Sequence, residues 1–230
     1  MTIIGSAPAV FIVPTVAPRR PRLEAFLAAY DDTAEASQLL IAVDREDHGA
    51  WDGLKLPHGA HLASAPRMAL GPKVNHWAMR HAGDWDHVGF LADDCIPETP
   101  GWDLQLLEAL DGRPGIAYPQ SGRNALPEHW LMSSAVLSAL GWAFQPGLRH
   151  YYADVVLSEI GSMAGCLYPA GCVVRHVHHD QHAVEHDQTY RAAEQAHGGP
   201  DGEAYARWRA RDRMHDVMRV RAVVDAAARL

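Results

Sequence analysis

Residues 90–102 read FLADDCIPETPGW, an apolar run that ends in two adjacent acids. Such a run is typical of a buried strand, and Asp93 and Asp94 follow directly after it. Removing an unpaired carboxylate from water is costly, so two acids at the end of a buried strand require a cation nearby. One of the two could instead cap the turn that follows, since aspartate accepts hydrogen bonds from nearby backbone N–H groups.

Two apolar segments on either side of a helical pattern indicate the fold class. Residues 9–13 and residues 38–43 both have the composition of short buried strands, and apolar residues recur at helical spacing between them. A strand, a helix and a strand in this order predict a parallel β-α-β unit, in which ligands bind beyond the carboxyl ends of the strands. Asp44 ends the second strand, so we expect it to share one edge of the sheet with Asp93 and Asp94.

The rest of the chain continues to alternate apolar runs with helical patterns. The expected elements are a strand in 62–70, a helix that opens at 73–75, a strand in 87–91, a helix at 102–110, a strand at 115–118, a helix at 131–140, a helix after Asp154, a strand at 172–178 and a helix from 205. With 48% hydrophobic content in 230 residues, this alternation predicts one α/β domain over residues 1–190. We expect residues 191–230 to form a helical extension packed on it.

Composition excludes several classes of protein. A formal net charge of −8 argues against a surface that binds nucleic acid or anionic lipid all over. The three cysteines form no CxxC pair, which favours a reducing cytosol over a disulfide framework. The N-terminal segment lacks a basic region and its apolar run is broken at Pro14, so we expect no signal peptide. Because no stretch approaches about 20 apolar residues, we expect no transmembrane segment.

Several short motifs follow one another in a familiar order. They are VFIVPT with an arginine-containing turn behind it, IAVD, KVN, FLADDCIP with PGWD behind it, YADVVL and RHVHH. This order, which covers residues 9–190, resembles GT-A-fold glycosyltransferases of the inverting, family-two-like type, with a pattern similar to short phage and actinobacterial members. The resemblance implies a Rossmann-like, mostly parallel central sheet and transfer of a hexosyl or pentosyl group from a nucleotide-diphosphate sugar, with a UDP-sugar expected, to an acceptor hydroxyl. It also implies a cytoplasmic location, in the host cytoplasm if the protein is phage-encoded.

The resemblance places a donor site at the predicted edge of the sheet. The positions that correspond to contacts with the base, the ribose and the diphosphate are Pro14, Thr15, Asp44, Lys73 and Asn75. Asp44 can accept a hydrogen bond from a base N–H or a sugar hydroxyl, and Lys73 can offset phosphate charge. A turn, a helix cap and a surface lysine are the structural alternatives for these residues.

A metal site is the second feature that the resemblance implies. The family binds a divalent cation through Asp-x-Asp, whereas this chain has Ala92-Asp93-Asp94. We expect Asp94 to bind Mn²⁺ or Mg²⁺ directly and Asp93 to contact the ribose or a metal-bound water. Period-two alternation puts His176 and His178 on one face of the late strand, and the family often closes its metal site with a late histidine. His176 is the first choice for that ligand and His178 the second, and a structural role is the alternative for each.

The remaining role is that of the general base. Inverting transfer needs a carboxylate that removes the proton of the acceptor hydroxyl while the metal stabilises the departing diphosphate. The segment HYYADVVLSEI presents Asp154 at the position of the family's catalytic acid, with Ala153 where the family has glutamate. The structural alternative for Asp154 is an N-cap of the following helix.

The C-terminal segment carries an unusual concentration of positive charge. From Tyr205 onward it contains seven arginines and few acids. This composition predicts a helix whose basic face is either solvated or in contact with an anionic partner. The acceptor therefore stays open between modified DNA, a glycan, a lipid and a protein, and the oligomeric state is open as well.

Three other functions stay open. One is a nucleotidyltransferase, although the sequence has no glycine-rich phosphate loop near the first strand. HVHHDQH at residues 176–182 is similar to the HxHxDH motif of metallo-β-lactamase-like hydrolases, with Gln181 where that motif has a histidine. Ala92 and Ala153 stand where the glycosyltransferase motifs have acids, which would suit a catalytically inactive nucleotide-sugar-binding module. Binding of two zinc ions without a nucleotide sugar would identify the hydrolase, and binding of a nucleotide sugar without hydrolysis would identify the inactive module.

Overall fold

Eight strands form one mixed sheet, and the strands from the first part of the chain are parallel. The structure is a computed structural model that describes residues 7–177 and 188–229. The strands of this part of the chain are β1 (Ala9–Pro14), β2 (Ser37–Asp44), β3 (Ala60–Ala65), β4 (His87–Phe90), β5 (Cys95–Pro97), β6 (Ile116–Gln120), β7 (Trp130–Ser133) and β8 (Leu167–His176). The α-helices are α1 (Arg20–Thr33), α2 (Leu70–Arg80), α3 (Trp102–Leu110), α4 (Ser134–Leu140), α5 (Ala153–Ala164), α6 (Gln188–Arg211) and α7 (Arg213–Ala227).

The order of the strands across the sheet is β3-β2-β1-β4-β7-β6-β8-β5. β1 pairs in parallel with β2 and β4, so that Ile12 lies between Leu40 and Phe90. β7 runs antiparallel between β4 and β6, β6 pairs in parallel with β8, and β5 adds an antiparallel strand to β8. The carboxyl ends of β1, β2 and β4 therefore meet at one edge, which is where parallel α/β sheets bind ligands.

Alternate residues of the central strand β1 face two separate layers of helices. Val10 and Ile12 belong to a core that includes α2, α4 and α5, whereas Phe11 and Val13 belong to a core that includes α1 and α3. Burial on both faces explains why β1 and β2 are continuous apolar runs. Gly89 of β4 makes room for the ring of Phe11, because a Cβ atom at Gly89 would lie 2.2 Å from it.

The C-terminal helices pack against the layer that contains α4 and α5. Trp208 of α6 and Val217 of α7 are buried in the same core as α5. The Trp208 indole donates a 2.9 Å hydrogen bond to Asp216 Oδ2, which joins α6 to α7. Among the described helices, α6 and α7 included, none is long and apolar enough to cross a membrane.

Several predicted elements differ from the structure, and the strand expected at 172–178 begins five residues earlier, at Leu167. The strand expected in 62–70 lies at Ala60–Ala65. The helix expected at 131–140 is wrong in its first turn, because Trp130–Ser133 form the central strand β7. A short apolar run of this kind suits a buried strand as well as a buried helix. The single helix expected at the C-terminus is two helices, α6 and α7, with a break at Asp212.

Candidate active site

Polar side chains from three strand ends and one helix meet at the carboxyl edge of β1, β2 and β4. Lys73 of α2 places its Nζ 2.6 Å from Asp44 Oδ1 and 3.4 Å from the Thr15 carbonyl oxygen. The Thr15 hydroxyl donates a 2.6 Å hydrogen bond to Asp93 Oδ2. All four side chains are buried. These contacts join the ends of the three strands into one polar network.

The cation next to Asp93 and Asp94 is the guanidinium group of Arg19. Its Nε lies 2.8 Å from Asp93 Oδ1 and its Nη2 lies 2.6 Å from Asp94 Oδ2. Arg22 approaches the same Asp94 oxygen at 3.5 Å. A proline-containing 3-10 turn at Ala17–Arg19 leads into α1 and fixes the backbone from which Arg19 extends. A planar guanidinium can bridge two carboxylates with separate nitrogens, a geometry that a lysine ammonium lacks.

The chain turns at Asp93 and Asp94, which brings both carboxylates to Arg19. In an extended strand, adjacent side chains would point to opposite faces of the sheet. Burial raises the pKa of Asp93 to about 6, and the Arg19 guanidinium opposes that rise. The proton affinity of Asp93 therefore depends on the ion pair with Arg19.

His176, at the end of β8, links Asp94 to a further acid. Its Nε2 lies 3.4 Å from Asp94 Oδ1, and its Nδ1 lies 3.2 Å from Glu128 Oε2. Burial acts to lower the pKa of His176, but the two carboxylates raise it to about 9. Burial acts to raise the pKa of Glu128, but His176 and Arg123 lower it to about 2. Arg123 Nη1 lies 2.5 Å from Glu128 Oε1, so the acid has a basic partner on each side.

Asp94 and His176 are close enough to share a divalent cation. Adjacent ligands of an octahedral ion with bonds of about 2.1 Å lie about 3 Å apart, and Asp94 Oδ1 and His176 Nε2 are separated by 3.4 Å. Within residues 7–177 and 188–229, no group of three or more His, Cys, Asp or Glu side chains is arranged to hold a metal. The third predicted ligand, His178, lies outside the described residues. The pair therefore suits an ion that takes its other ligands from phosphate and water, as Mg²⁺ commonly does.

Asp154 lies in the first turn of α5, which begins at Ala153. Its Oδ1 accepts a 2.8 Å hydrogen bond from the backbone N–H of Val155. The predicted alternative of an N-cap is wrong, because Tyr152 occupies that position. Burial raises the pKa of Asp154, and the nearby charge of Glu128 adds to the rise. A carboxyl whose pKa is raised holds its proton more tightly than free aspartate, which is a property of a general base.

Asn75, one of the predicted donor contacts, is engaged inside the protein. Its Oδ1 accepts 2.8 Å hydrogen bonds from the backbone N–H groups of Ala143 and Phe144, and its Nδ2 donates to the Phe144 carbonyl at 2.7 Å. The amide therefore holds the loop after α4, which favours a structural role over a contact with the donor. Asp44 and Lys73 neutralise each other at the sheet edge, whereas Pro14 ends β1 and is buried.

Four charged residues of this cluster were not among the predicted site residues: Arg19, Arg22, Arg123 and Glu128. The motif VFIVPT pointed to an arginine-containing turn but not to the arginine that faces the acids. Glu128 is 48 residues before its partner His176, so no local spacing relates them. The neighbouring His129 is buried with its ring centroid 5.1 Å from that of His176, and burial lowers its pKa to about 3.

Most of the arginines in the C-terminal helices contact acids of the same chain. Arg209 and Arg213 lie 3.4 Å and 2.6 Å from the two carboxylate oxygens of Glu159 on α5. Arg219 lies 3.6 Å from Asp216, and Arg207 lies 3.6 Å from Glu203. The positive charge of the segment is therefore offset in part, since three acids lie next to four of its seven arginines.

No protein-family model matches the sequence, and no curated protein sequence matches it. Solved structures with a similar fold include a mannosyltransferase from Pyrobaculum calidifontis, PcManGT, in complex with GDP-Man and Mn²⁺. It is 16% identical with a TM-score of 0.53, and the match covers 98% of this chain and 76% of that one. They also include S. aureus TarS 1–349 in complex with UDP, which is 12% identical with a TM-score of 0.53, over 72% of this chain and 59% of that chain.

A further structure of TarS 1–349 is 12% identical with a TM-score of 0.52, over 73% of this chain, and the match spans 60% of the length of that chain. At these identities the comparison concerns the fold. The chain has a GT-A, Rossmann-like α/β fold with a mostly parallel central sheet and C-terminal helices, which confirms the fold class predicted from the sequence.

Proposed function

We propose that the chain is a metal-dependent glycosyltransferase that moves a hexosyl or pentosyl group from a nucleotide-diphosphate sugar to an acceptor hydroxyl, with inversion. The observation that carries the proposal is the charged cluster of Arg19, Asp93, Asp94 and His176 at the carboxyl edge of the parallel strands. The same edge is the ligand-binding edge of open α/β sheets. Structures with this fold include complexes of other proteins with UDP, with UDP-GlcNAc, and with GDP-Man and Mn²⁺.

The donor would occupy the edge formed by β1, β2 and β4. Pro14, Thr15 and Asp44 would contact the base and ribose, and Asp93 would reach a ribose hydroxyl. Arg19 and Lys73 lie at this edge, where each is paired with a buried carboxylate. Both side chains would turn towards the diphosphate and offset its charge. A diphosphate that takes these two cations would leave the buried carboxylates of Asp44, Asp93 and Asp94 short of positive charge, and the divalent cation next to Asp94 would supply part of it. A UDP-sugar is the expected donor.

Asp94 and His176 would hold the divalent cation, which would take the place of the proton that the neighbouring carboxylates favour on His176 Nε2, and the diphosphate would supply further oxygen ligands. Mn²⁺ is favoured over Mg²⁺ because imidazole is a better ligand for the softer ion. When bound, the cation would offset the negative charge that develops on the departing diphosphate. His178 stays a proposed second choice for the histidine ligand.

Asp154 would act as the general base. Its carboxylate would take the proton of the acceptor hydroxyl while that oxygen forms a bond to the anomeric carbon and the bond to the diphosphate breaks. The sugar then passes through an oxocarbenium-like transition state, as in glycoside hydrolysis. The raised pKa of Asp154 makes its carboxylate a stronger base than that of a free aspartate. The acceptor would be a hydroxyl of a glycan, a lipid, a protein or a modified DNA in the cytoplasm.

The proposal is tested by titrating the protein with UDP and GDP in the presence of Mn²⁺, Mg²⁺ or EDTA, followed by UDP release from a panel of UDP-sugars. We expect UDP to bind more tightly with Mn²⁺ than with EDTA, and one UDP-sugar to release UDP. Binding of UDP with no release from any sugar and any acceptor would favour the inactive module. The proposal is wrong if no nucleotide diphosphate binds at millimolar concentration with either metal.

A further inference from the structure

The loop that leads to Asp154 is tied to the C-terminal helix α6 by a buried carboxylate. Asp201 Oδ1 accepts a 3.0 Å hydrogen bond from the backbone N–H of Arg149. Its Oδ2 accepts hydrogen bonds of 2.7 Å and 2.8 Å from the backbone N–H groups of His150 and Tyr151. Asp201 is only 1% exposed. One ionised side chain therefore orients three consecutive peptide groups through charge-assisted hydrogen bonds.

Two rings on the same face of α6 flank this carboxylate. His197 lies one helical turn before Asp201 and Tyr205 lies one turn after it, so the three side chains share a face. The ring of His197 stacks with that of His150 at 6.5 Å, and the ring of Tyr205 stacks with that of Tyr152 at 5.0 Å and an angle of 6°. The contacts of α6 thus extend over the whole segment from residue 149 to residue 152.

The start of α2 also holds the loop. The backbone N–H of Gly71 donates a 2.8 Å hydrogen bond to the carbonyl oxygen of Arg149. A Cβ atom at Gly71 would lie 2.5 Å from the carbonyl oxygen of Leu148, so the close approach requires glycine. The loop is therefore clamped between two helices rather than attached to one.

The clamped segment ends in an unfavourable backbone conformation. Tyr152 has φ 67° and ψ 4°, in the left-handed region that residues with a Cβ atom rarely adopt. Such a conformation persists where the surroundings hold it. α5 begins at the next residue, with Asp154 in its first turn. The direction in which the Asp154 carboxylate leaves the helix therefore depends on the conformation of residues 149–152.

We propose that Asp201, supported by His197 and Tyr205, is a positioning residue that sets the orientation of Asp154. In this role α6 orients the base that takes the proton, although α6 follows the strands of the sheet edge by about 100 residues or more in the sequence. The assignment rests on the proposed function, in which Asp154 is the general base. The residues proposed to contact the donor lie outside α6 and outside residues 149–152, although the charges of Arg19 and Asp94 act on the pKa of His150. A change at Asp201 should therefore alter turnover more than the affinity for the nucleotide.

The test is Asp201→Asn, which keeps the shape of the side chain but removes its charge and one of its two acceptor oxygens. We expect turnover, measured as UDP release, to fall about 10- to 100-fold, because small displacements of a catalytic group are costly. The KM for the UDP-sugar and the Kd for UDP should stay within about twofold. Hydrogen exchange of the backbone amides of residues 149–151 should become faster, as their common acceptor is weakened.

Asp216→Asn is the matched control. Asp216 is also a buried aspartate of the C-terminal helices, and it accepts a hydrogen bond from Trp208 instead of from the loop. We expect this variant to lose stability but to retain the turnover and the slow exchange of residues 149–151. Should Asp201→Asn fail to fold, Tyr205→Leu removes both the ring stacked on Tyr152 and the hydrogen bond to Glu159, whereas Tyr205→Phe keeps the ring and loses only the hydrogen bond. Tyr205→Leu should lower turnover at an unchanged Kd for UDP, and Tyr205→Phe should not.

The outcomes separate the positioning role from the proposed function. If Asp201→Asn exchanges faster at residues 149–151 but keeps full turnover, Asp201 is only a structural anchor and the positioning role is wrong. The role is also wrong if Asp216→Asn lowers turnover as much as Asp201→Asn, since general destabilisation then explains both. A parent protein that binds UDP but turns over no sugar would contradict the proposed function, and the positioning of a base would fall with it.

Discussion

Arg19→Met tests how much the ion pairs of Arg19 with Asp93 and Asp94 contribute to the stability of the fold. In the parent protein, Arg19 lies 2.8 Å from Asp93 and 2.6 Å from Asp94, and the three side chains are at most 10% exposed. By Coulomb's law, each contact is worth about 6 kcal/mol at an effective dielectric constant of about 20. Desolvation of the three charges offsets much of this energy. Removing one partner of a buried ion pair typically costs about 3–5 kcal/mol, and we expect a loss of that size in the free energy of unfolding.

The loss is measured by equilibrium unfolding in urea at neutral pH, with Arg175→Met as the control. Arg175 lies 2.5 Å from Glu98, but the two side chains are 45% and 43% exposed. An exposed ion pair of this kind contributes about 0–1 kcal/mol. A loss below about 1 kcal/mol for Arg19→Met, equal to that of the control, would refute the view that Asp93 and Asp94 need the guanidinium.

The same variant tests whether Arg19 and Mn²⁺ compete for Asp94. Arg19→Met leaves both carboxylates without their main cation, so Mn²⁺ should stabilise this variant more than it stabilises the parent, in which Arg19 competes for Asp94. Unfolding is therefore repeated at several Mn²⁺ concentrations for both proteins. Equal stabilisation of the two would show that Arg19 and the metal do not compete for the same oxygens.

Three further substitutions test the assigned roles. Asp94→Ala should abolish the metal-dependent part of UDP binding in titration calorimetry, and the ligand assignment is wrong if UDP and Mn²⁺ bind as tightly as in the parent. His176→Ala should weaken Mn²⁺ binding more than Mg²⁺ binding, whereas equal losses would indicate misfolding. Asp154→Asn should lower turnover by about two orders of magnitude or more at an unchanged affinity for UDP, and substantial residual transfer would move the base elsewhere. In the parent, turnover should fall as the pH drops through the raised pKa of Asp154, because the base must be ionised. The same pH profile in Asp154→Asn would contradict this cause.

The parallel part of the fold could be predicted because its signals are local. β1 and β2 are continuous apolar runs, each closed by a residue that changes the pattern, Pro14 and Asp44. The need for a cation near Asp93 and Asp94 follows from the cost of buried charge and requires no knowledge of distant residues. The strand β7 was missed because burial on both faces removes the alternation that distinguishes a strand from a helix.

The partners of the site residues could not be predicted, because each partner comes from a distant part of the chain that only the folded structure brings close. Arg19 is one of three arginines within four residues, and the sequence does not show which one turns towards the acids. Glu128 reaches His176 only because residues 121–129 fold back over the end of β8. Asp201 meets residues 149–151 from a helix about 50 residues further along the chain. In each case the two partners lie in different elements, and the apolar pattern within one element carries no information about its contacts with the other.

The acids that pair with the arginines of the C-terminal segment could not be predicted from the sequence either. Counting seven arginines left open whether the segment is solvated or contacts an anionic partner, whereas in the structure Arg209 and Arg213 share one acid, Glu159, about 50 residues upstream on α5. These contacts attach α6 and α7 to the helix that begins beside Asp154, and they leave less free positive charge than the sequence implied. A strongly salt-dependent interaction with DNA requires several phosphates to be neutralised by free cations. A DNA-binding assay at several salt concentrations therefore decides between the two roles predicted for this segment, because a helix that is only solvated would show no affinity for DNA even at low salt.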